Sequence, residues 1–485
     1  MRELAADIVV IGGGPAGLEA ACAAARALAC EGRPASPGGR TPPMASASAA
    51  PGPGRAIEDI ARVVLVDSGL APGGQAWRAR HDAPHPDAQA LAAEAATAGV
   101  RLLSGRQVVG VLAGSELLLD GAGDDGQPRR LRWRRLVLAT GARERLLPFP
   151  GWTLPGVFGA GGLQALAKGG WPVAGQRIVV AGTGPLLLAA AALLQREGAR
   201  VVQLVEEATW GALARFGATL ATHPVQAGQA LQFAAGLAGV RLRAGWRVVE
   251  AQGTERLERV VLAPVHGAAS AAIEIACDAL AASWGLVPET GLARLLDCEI
   301  VERSRVAVVR VDATGRTSRH DVFAAGEATG VAGARAARIA GRRAGEAAAL
   351  DLARPPGQAP LPVPASAALA REQLFAAAVS RCFPPPRDLA SRLTPQTLVC
   401  RCEDVTWEVL RKCESLRAAK LETRCGMGHC QGRLCHDALA LITGTPLLEP
   451  RLPLFPVDIG VLLACDVPPV RTRDAQPAAT LEPMT

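Results

Sequence analysis

The sequence has no tyrosine and only three lysines, and its other aromatic residues are eight tryptophans and eight phenylalanines. Few side chains are therefore available for stacking nucleic-acid bases. The net charge of +7 comes from arginines spread along the chain, and the densest group, at 129–135, alternates like a strand with one solvated face. Because no basic patch is interleaved with aromatic residues, we expect no nucleic-acid partner.

A hydrophobic run long enough to cross a membrane is also missing. The longest uncharged candidate, 178–194, contains Gly-Thr-Gly-Pro and is better explained as a strand, a turn and a helix. Glu3 and Asp7 lie where a signal peptide needs positive charge. We therefore expect no transmembrane segment and a cytoplasmic location, with peripheral attachment to the inner face of the membrane left open.

The 485 residues provide for roughly three domains. The hydrophobic content of 49% with 20% charged residues is typical of a globular protein with a large core. Six of the twelve cysteines lie between 400 and 435. Because disulfides are rare in the cytoplasm, that clustering predicts a metal site.

The first functional pattern is a buried strand at 8–11 followed by Gly12, Gly14, Gly17 and an alanine-rich helix. The G-x-G-x-x-G spacing permits a tight turn, close approach of a pyrophosphate, and close helix packing. A second strand, 62–67, ends in Asp67, an acid suited to a ribose hydroxyl. These features predict a dinucleotide site. A glycine-rich turn before a core helix is the alternative.

Asp67 follows Gly17 by 50 residues, where about 20 are expected. Residues 31–56 account for the excess, since 20 of these 26 residues are Gly, Pro, Ala or Ser. Such a segment buries too little apolar surface to order itself, so we interpret it as an inserted surface loop. Alternating segments between 100 and 133 predict a small antiparallel addition to the domain.

The same pattern recurs at 177–187, with Gly182 and Gly184, and its second strand ends in Glu206, 22 residues after Gly184. Leu187 replaces the third glycine. This second unit therefore binds NAD(P), another adenine nucleotide, or no nucleotide.

Three shorter segments complete the predicted cofactor-binding set. A glycine pair precedes Gln75, a buried strand ends at Thr140 and Gly141, and a short apolar run ends in Gly326 and Glu327. Gly74 would let the backbone approach a flat ring, although a plain turn explains it equally well. Gly326 and Glu327 occupy the position of a second flavin-binding segment.

The cysteine-rich segment carries two tight cysteine pairs, from which we predict the metal ligands Cys400, Cys402, Cys430 and Cys435. Nearby glycines free backbone N–H groups to donate to sulfur, and a helix start near Gln431 adds a positive dipole end. Four thiolates with N–H donors suit an iron–sulfur cluster. Cys413 and Cys425 leave the ligand set open, and zinc and a redox disulfide are the alternatives. His429 and His436 are expected to be structural or solvated.

The order of motifs resembles the FAD-containing alpha subunits of heteromeric amine and amino-acid dehydrogenases. This family includes the FAD-containing subunits of opine oxidase, of D-hydroxyproline dehydrogenase and of hydrogen cyanide synthase. The segments that carry the resemblance are 136–145, 148–158, 325–327, 399–406 and 425–435. The last two look like the [2Fe-2S] domain of bacterioferritin-associated ferredoxin.

The resemblance implies an α/β fold with two Rossmann-like domains of the pyridine nucleotide-disulfide oxidoreductase type, the second inserted in the first, and a small helical C-terminal [2Fe-2S] domain. The expected divisions are an FAD domain over 1–145 and 276–352, an NAD(P)-type domain over 146–275, a proline-rich linker over 353–394, the cluster domain over 395–450 and a tail over 451–485.

The family also implies a division of labour. A glycine-oxidase-like flavoprotein beta subunit would oxidise an opine, D-hydroxyproline, proline or glycine, and a small ferredoxin-like [2Fe-2S] subunit is an optional third member. This chain would accept electrons on FAD and relay them through its cluster. The sequence agrees in that no C-x₄-C lies beside Gly74 and no catalytic residues are identified. A stand-alone NAD(P)H-dependent reductase and a zinc-stabilised docking module are the competing hypotheses.

Overall fold

The computed structural model describes residues 3–30, 59–113, 115–121, 129–266, 271–354, 366–445 and 449–463. The predicted insertion at 31–56 lies outside these residues, as do the prolines of 355–365 and the tail beyond 463. The chain forms two compact units. The first comprises the described residues of 1–142, 288–373 and 450–471, and the second those of 143–287 and 374–449.

The strands of the described chain, numbered in chain order, are β1 Glu3–Ile11, β2 Asp59–Asp67, β3 Arg101–Ser104, β4 Gln107–Leu112, β5 Glu116–Asp120, β6 Arg129–Leu138, β7 Ala142–Glu144, β8 Val157–Gly159, β9 Arg177–Gly182, β10 Arg200–Glu206, β11 Leu242–Ala244, β12 Trp246–Gln252, β13 Arg259–Pro264, β14 Ile273–Ala276, β15 Ala279–Ser283, β16 Leu286–Pro288, β17 Ile300–Arg303, β18 Val306–Val309, β19 Val322–Ala324, β20 Leu398–Cys400 and β21 Val405–Thr406.

The helices of the same residues are α1 Pro15–Cys30, α2 Pro86–Thr97, α3 Ala160–Lys168, α4 Leu186–Arg196, α5 Trp210–Ala221, α6 Pro224–Ala235, α7 Gly291–Leu295, α8 Gly333–Leu352, α9 Ala367–Cys382, α10 Trp407–Leu410, α11 Leu416–Thr423, α12 Cys435–Thr443 and α13 Ile459–Leu463. Two short 3₁₀ turns, Gly326–Thr329 and Ala390–Arg392, follow β19 and α9.

The first unit is built on a seven-stranded sheet in the order β3-β2-β1-β6-β5-β4, with β19 also paired to β6. The strands β3, β2, β1, β6 and β19 run parallel, whereas β4 and β5 are antiparallel. The antiparallel addition predicted between 100 and 133 is therefore limited to β4 and β5, since β3 and β6 belong to the parallel part of the sheet. Successive residues of β1 face opposite sides, so Ile8 and Val10 enter one core and Val9 and Ile11 the other. The carboxyl ends of β1, β2 and β6 therefore meet at one edge.

The second unit contains a five-stranded parallel sheet in the order β11-β10-β9-β15-β8 and an antiparallel sheet of β12, β13 and β14. The predicted α/β class with two Rossmann-like units is therefore confirmed. One domain boundary differs from the sequence-based one. Because β15 pairs with β9, the inserted unit continues to Val287 instead of ending at 275.

The cysteine-rich segment belongs to the second unit, whereas the sequence analysis expected a linker to set it apart. Leu389 and Ala438 are fully buried in the same hydrophobic core as Trp152 and Trp284 of the inserted domain. Part of the predicted linker is helical, since α9 occupies 367–382. The proline-rich composition therefore did not indicate a simple spacer. Among the described residues, no helix is long and apolar enough to cross a membrane.

Candidate functional site

The first glycine turn joins β1 to α1 at the carboxyl edge of the first sheet. Gly12 has φ +106°, and a Cβ added there would lie 2.2 Å from the backbone oxygen of Ala139. A Cβ on Gly17 would lie 1.7 Å from the Gly12 oxygen. Both glycines are therefore required by the backbone itself. The turn brings α1 directly onto the end of β1.

Two other backbone segments meet this turn. The Gly73 N–H donates to the Gly13 oxygen over 2.8 Å, and a Cβ on Gly74 would lie 3.0 Å from the Gly14 Cα. Gly326 approaches from β19, where an added Cβ would lie 2.8 Å from the Ala16 Cβ. The structure thus gathers Gly14, Gly74 and Gly326, three predicted residues from distant parts of the sequence, around the N-terminus of α1.

Asp67 lies at the end of β2, beside the same turn. Its carboxylate accepts hydrogen bonds from the backbone N–H groups of Gly13 and of Gly69, the latter over 2.6 Å. Burial raises the pKa of Asp67, although these N–H donors oppose the shift. The predicted ribose-binding acid is therefore positioned at the turn and held there by the backbone.

The remaining predicted residues of this unit have separate local roles. The exposed Gln75 accepts hydrogen bonds from Arg78. The Thr140 hydroxyl donates to the backbone oxygen of Glu289 over 2.7 Å. At Gly141, no atom of the described residues lies within 4 Å of an added Cβ. Burial raises the pKa of Glu327, which accepts from the Gly333 N–H.

The first turn fits the pyrophosphate of a dinucleotide. Gly14 is only partly buried, and the only neighbours of a Cβ added there are backbone atoms of the Gly73–Gly74 pair, at 3.9 Å and 4.0 Å. A close approach to the backbone is therefore open at Gly14, next to the N-terminus of a helix of 16 residues. FAD bound here would be held by Gly12, Gly14, Gly74 and Asp67.

The sequence analysis missed an ion cluster that fastens α1 to α8. Glu19 is 1% exposed, and its carboxylate accepts from Arg338 over 2.8 Å and from Arg342 over 3.1 Å. Arg338 also lies over the Trp77 ring. A glutamate within an alanine-rich, otherwise apolar helix was the available signal, since a buried carboxylate requires partners.

The second turn has a different environment. Gly182 has φ +131°, and a Cβ there would lie 1.8 Å from the Ser283 oxygen. Glu206 accepts from the Thr183 hydroxyl over 2.6 Å, from the Gly184 N–H over 2.9 Å and from the Ala208 N–H over 2.8 Å. Burial raises the pKa of Glu206 to about 7. Its carboxylate oxygens are already bonded within the protein.

The second turn is also covered by the chain itself. Gly184 is buried, and the closest atom to a Cβ added there is the Cβ of Phe383, at 3.9 Å. Phe383 packs edge-on against Phe216 of α5. Leu187, in place of the third glycine, is 1% exposed within the core of this domain. Gly184 is therefore more buried than Gly14, although the nearest neighbour of an added Cβ lies at 3.9 Å in both turns.

The cysteine-rich segment gathers its sulfur atoms in two groups. The Sγ atoms of Cys400, Cys425 and Cys435 all lie within 4.8 Å of one another, and all three residues are buried. Cys402 is exposed and accepts a hydrogen bond from the Cys430 backbone N–H. The structure thus brings the four predicted ligands into two neighbouring parts of the same segment and adds Cys425.

The buried group favours a thiolate at Cys400 and thiols at Cys425 and Cys435, as the directions of their pKa shifts show. Hydrogen bonds from the Cys425 and Cys435 thiols and from the Gly426 N–H hold the pKa of Cys400 far below its ordinary range. The same contact with Cys400 raises the pKa of Cys425 to about 12. Several sulfur ligands with N–H donors fit an iron–sulfur cluster. Cys413 lies apart, with its Sγ atom 3.6 Å from the Val409 oxygen.

Two details of this segment differ from the sequence-based expectation. The helix begins at Cys435 and not near Gln431, so its N-terminus lies at the buried sulfur group. His436 is packed where a Cβ on Gly426 or Gly432 would collide with its ring, while His429 is exposed. The glycines are therefore needed for the histidine ring as well as for N–H donors.

The cysteine-rich segment is fastened to the inserted domain by buried polar bonds. Arg145 donates to the Asp437 carboxylate over 2.6 Å, and the Trp152 indole N–H donates to the Leu398 oxygen over 2.6 Å. Arg392 forms two bonds to Glu207, which also accepts from Trp284. The sequence analysis did not find these contacts, because their partners are up to 292 residues apart.

Similarity to known proteins agrees with this geometry. Residues 6–364 match the family described as pyridine nucleotide-disulphide oxidoreductase. Hydrogen cyanide synthase subunit HcnB of Pseudomonas protegens is 33% identical over 73% of this chain and 79% of its own length. The A subunit of opine oxidase from Agrobacterium tumefaciens is 31% identical over 96% of this chain and 91% of its own.

Among solved structures, the L-proline dehydrogenase from P. horikoshii has a similar fold, with a TM-score of 0.62 and 20% identity over 95% of this chain and 80% of that one. The relatives confirm the resemblance to opine oxidase and hydrogen cyanide synthase subunits, and they indicate a flavoprotein oxidoreductase. The family supports FAD as the cofactor of the first unit. The chain belongs to the pyridine nucleotide-disulphide oxidoreductase family.

Proposed function

We propose that this chain is the electron-relay subunit of an amine or amino-acid dehydrogenase acting on a CH–NH bond. The observation that carries the proposal is a flavin-type glycine turn in the first unit, together with a buried thiol group in the second. Its relatives are named as subunits of opine oxidase and of hydrogen cyanide synthase. A cytoplasmic location is part of the proposal.

FAD would bind at the first turn, and a [2Fe-2S] cluster would be held by Cys400, Cys402, Cys430 and Cys435. When bound, FAD would supply two-electron chemistry and the cluster one-electron chemistry. The chain's own residues orient these groups: Asp67 is fixed beside the turn, and backbone N–H groups donate to the sulfur of Cys400. A glycine-oxidase-like flavoprotein beta subunit would oxidise the substrate, and a small ferredoxin-like [2Fe-2S] protein would be an optional third partner.

The competing NAD(P)H reductase gains no support from the second turn. Gly184 is buried near Phe383, and Leu187 replaces the third glycine of the motif. We therefore expect the main role of the inserted domain to be structural. It holds the cysteine-rich segment in place through the hydrogen bonds of Arg145 and Trp152.

The test is to express the chain alone and together with a flavoprotein encoded beside its gene. The complex should oxidise an opine, D-hydroxyproline, proline or glycine with an artificial acceptor, and the lone chain should not. The double variant Cys402→Ala, Cys430→Ala should retain FAD but lose acid-labile sulfide and electron transfer. A lone chain that oxidises these substrates would refute the relay role, and zinc without sulfide would favour a docking module.

A further inference from the structure

The cysteine-rich segment holds more thiols than one cluster uses. A [2Fe-2S] cluster takes four cysteine ligands, whereas this segment offers Cys425 in addition to the four predicted ligands. These five cysteines divide unequally: Cys402 and Cys430 form the more exposed pair, and Cys400, Cys425 and Cys435 form the buried group. If each iron takes two ligands, the buried group has one thiol in excess.

The backbone directs Cys425 into this group. Arg424, at the end of α11, has φ +63° and Gly426 has φ +81°, so the chain reverses on both sides of Cys425. The Arg424 guanidinium donates to Glu403 over 2.8 Å, which fastens the turn beside Cys402. The Cys425 side chain is left 1% exposed, with its sulfur among those of Cys400 and Cys435.

We propose that Cys425 is a reserve ligand of the cluster, interchangeable with Cys435 at the buried iron. The inference rests on the proposed [2Fe-2S] cluster and extends it to a residue outside the predicted ligand set. Cys435 begins α12 and Cys425 follows α11, and their Sγ atoms lie within 4.8 Å of each other.

The exchange needs no oxidant or reductant. An iron–sulfur bond to Cys425 forms as the bond to Cys435 breaks, and the proton lost by the Cys425 thiol is taken up by the Cys435 thiolate. The charge of the site and the electron count of the cluster are unchanged. The number of thiolate ligands stays at four.

The test compares Cys425→Ala, Cys435→Ala and the double variant in the full chain, purified anaerobically. Alanine is used because a serine oxygen could itself bind iron. Each single variant should hold about two acid-labile sulfides per chain, as expected for a [2Fe-2S] cluster, and should show the EPR signal of a reduced cluster. The double variant should hold none.

Cys413→Ala is the matched control, because Cys413 lies in the same segment but outside the sulfur groups. FAD content and far-UV circular dichroism report whether each variant is folded. If a folded Cys425→Ala or Cys435→Ala variant loses its sulfide, or if the double variant keeps it, the reserve role is overturned. Wild-type protein without acid-labile sulfide would instead overturn the cluster, and this inference with it.

Discussion

The Arg145 guanidinium donates to the Asp437 carboxylate over 2.6 Å within the second unit, and the two side chains are only 4% and 11% exposed. Asp437 follows Cys435 by two residues on α12, while Arg145 belongs to the start of the inserted domain. A buried ion pair thus connects the sulfur site to a strand-rich domain far away in sequence.

Removing one partner of this pair should be strongly destabilising. Arg145→Met leaves the Asp437 charge buried without a partner, which costs about 3–5 kcal/mol in comparable sites. We expect a matching loss in the free energy of unfolding by chemical denaturation, together with a lower sulfide content. Arg310→Met, which breaks an exposed pair with Glu299, is the control and should change stability by less than about 1 kcal/mol. Equal effects of the two variants would contradict the mounting role of Arg145.

Gly14→Ala should weaken FAD binding without disturbing the protein's own packing. The added methyl group meets only ordinary contacts, at 3.9 Å and 4.0 Å, but it occupies the approach to the turn. We expect the FAD dissociation constant to rise by at least about tenfold, equivalent to about 1.4 kcal/mol. Flavin retention after gel filtration and fluorescence titration of the apoprotein would measure it.

The control is Gly217→Ala on α5, where nothing lies within 4 Å of the added Cβ. This variant should keep its flavin and gain slightly in stability, since alanine is the better helix former. A Gly14→Ala variant with wild-type flavin affinity would show that the dinucleotide does not approach this turn.

Glu206 should make the stability of the protein depend on pH. Its pKa is about 7 in the folded chain, above the ordinary value of 4.5. Between these two pH values, the folded state therefore holds a proton that the unfolded state has released. The contribution of Glu206 to the free energy of unfolding should therefore be highest below pH 4.5 and fall as the pH rises to about 7. The expected loss is on the order of 3 kcal/mol.

Glu206→Gln has nearly the same shape and cannot titrate, so the wild type minus variant difference isolates this group. Urea unfolding at several pH values should show the difference shrinking between pH 4.5 and 7 and levelling above it. A difference that grows with pH over this window would reverse the sign and contradict the burial of the neutral acid.

NADH and NADPH should not bleach the flavin of the wild-type chain. Gly184 of the second turn is buried near Phe383, and Leu187 occupies the place of the third glycine. Anaerobic stopped-flow mixing would measure the flavin absorbance, with dithionite as the positive control for reducibility. Rapid bleaching by either nucleotide would establish the reductase hypothesis in place of the relay.

Features that depend on neighbouring residues in the chain could be predicted from the sequence. The strand, the glycine turn and the helix of 8–30 follow one another directly, so spacing alone predicted them. Gly74 and Gly326 were predicted to belong to the flavin site, but their close approach to the first turn was not predicted. Backbone spacing by itself does not reveal such approaches.

Contacts between residues that are distant in the sequence could not be predicted in this way. The proline content of 353–394 suggested a spacer, yet Phe375 and Phe383 pack on Phe216 of the inserted domain. Cys425 was left outside the predicted ligand set because the four chosen cysteines form two tight pairs, whereas its sulfur neighbours in the structure come from β20 and α12. These contacts arise from tertiary packing, which residue spacing does not encode.

The shared core of Leu389, Ala438, Trp152 and Trp284 has a practical consequence for anyone dissecting the molecule. A fragment truncated before Leu374 should not be a stable flavoprotein. The truncation would expose the side chains of Trp152 and Trp284. The remaining fragment would then carry an exposed hydrophobic patch and should aggregate. The described residues of 374–449 are an integral part of the second unit.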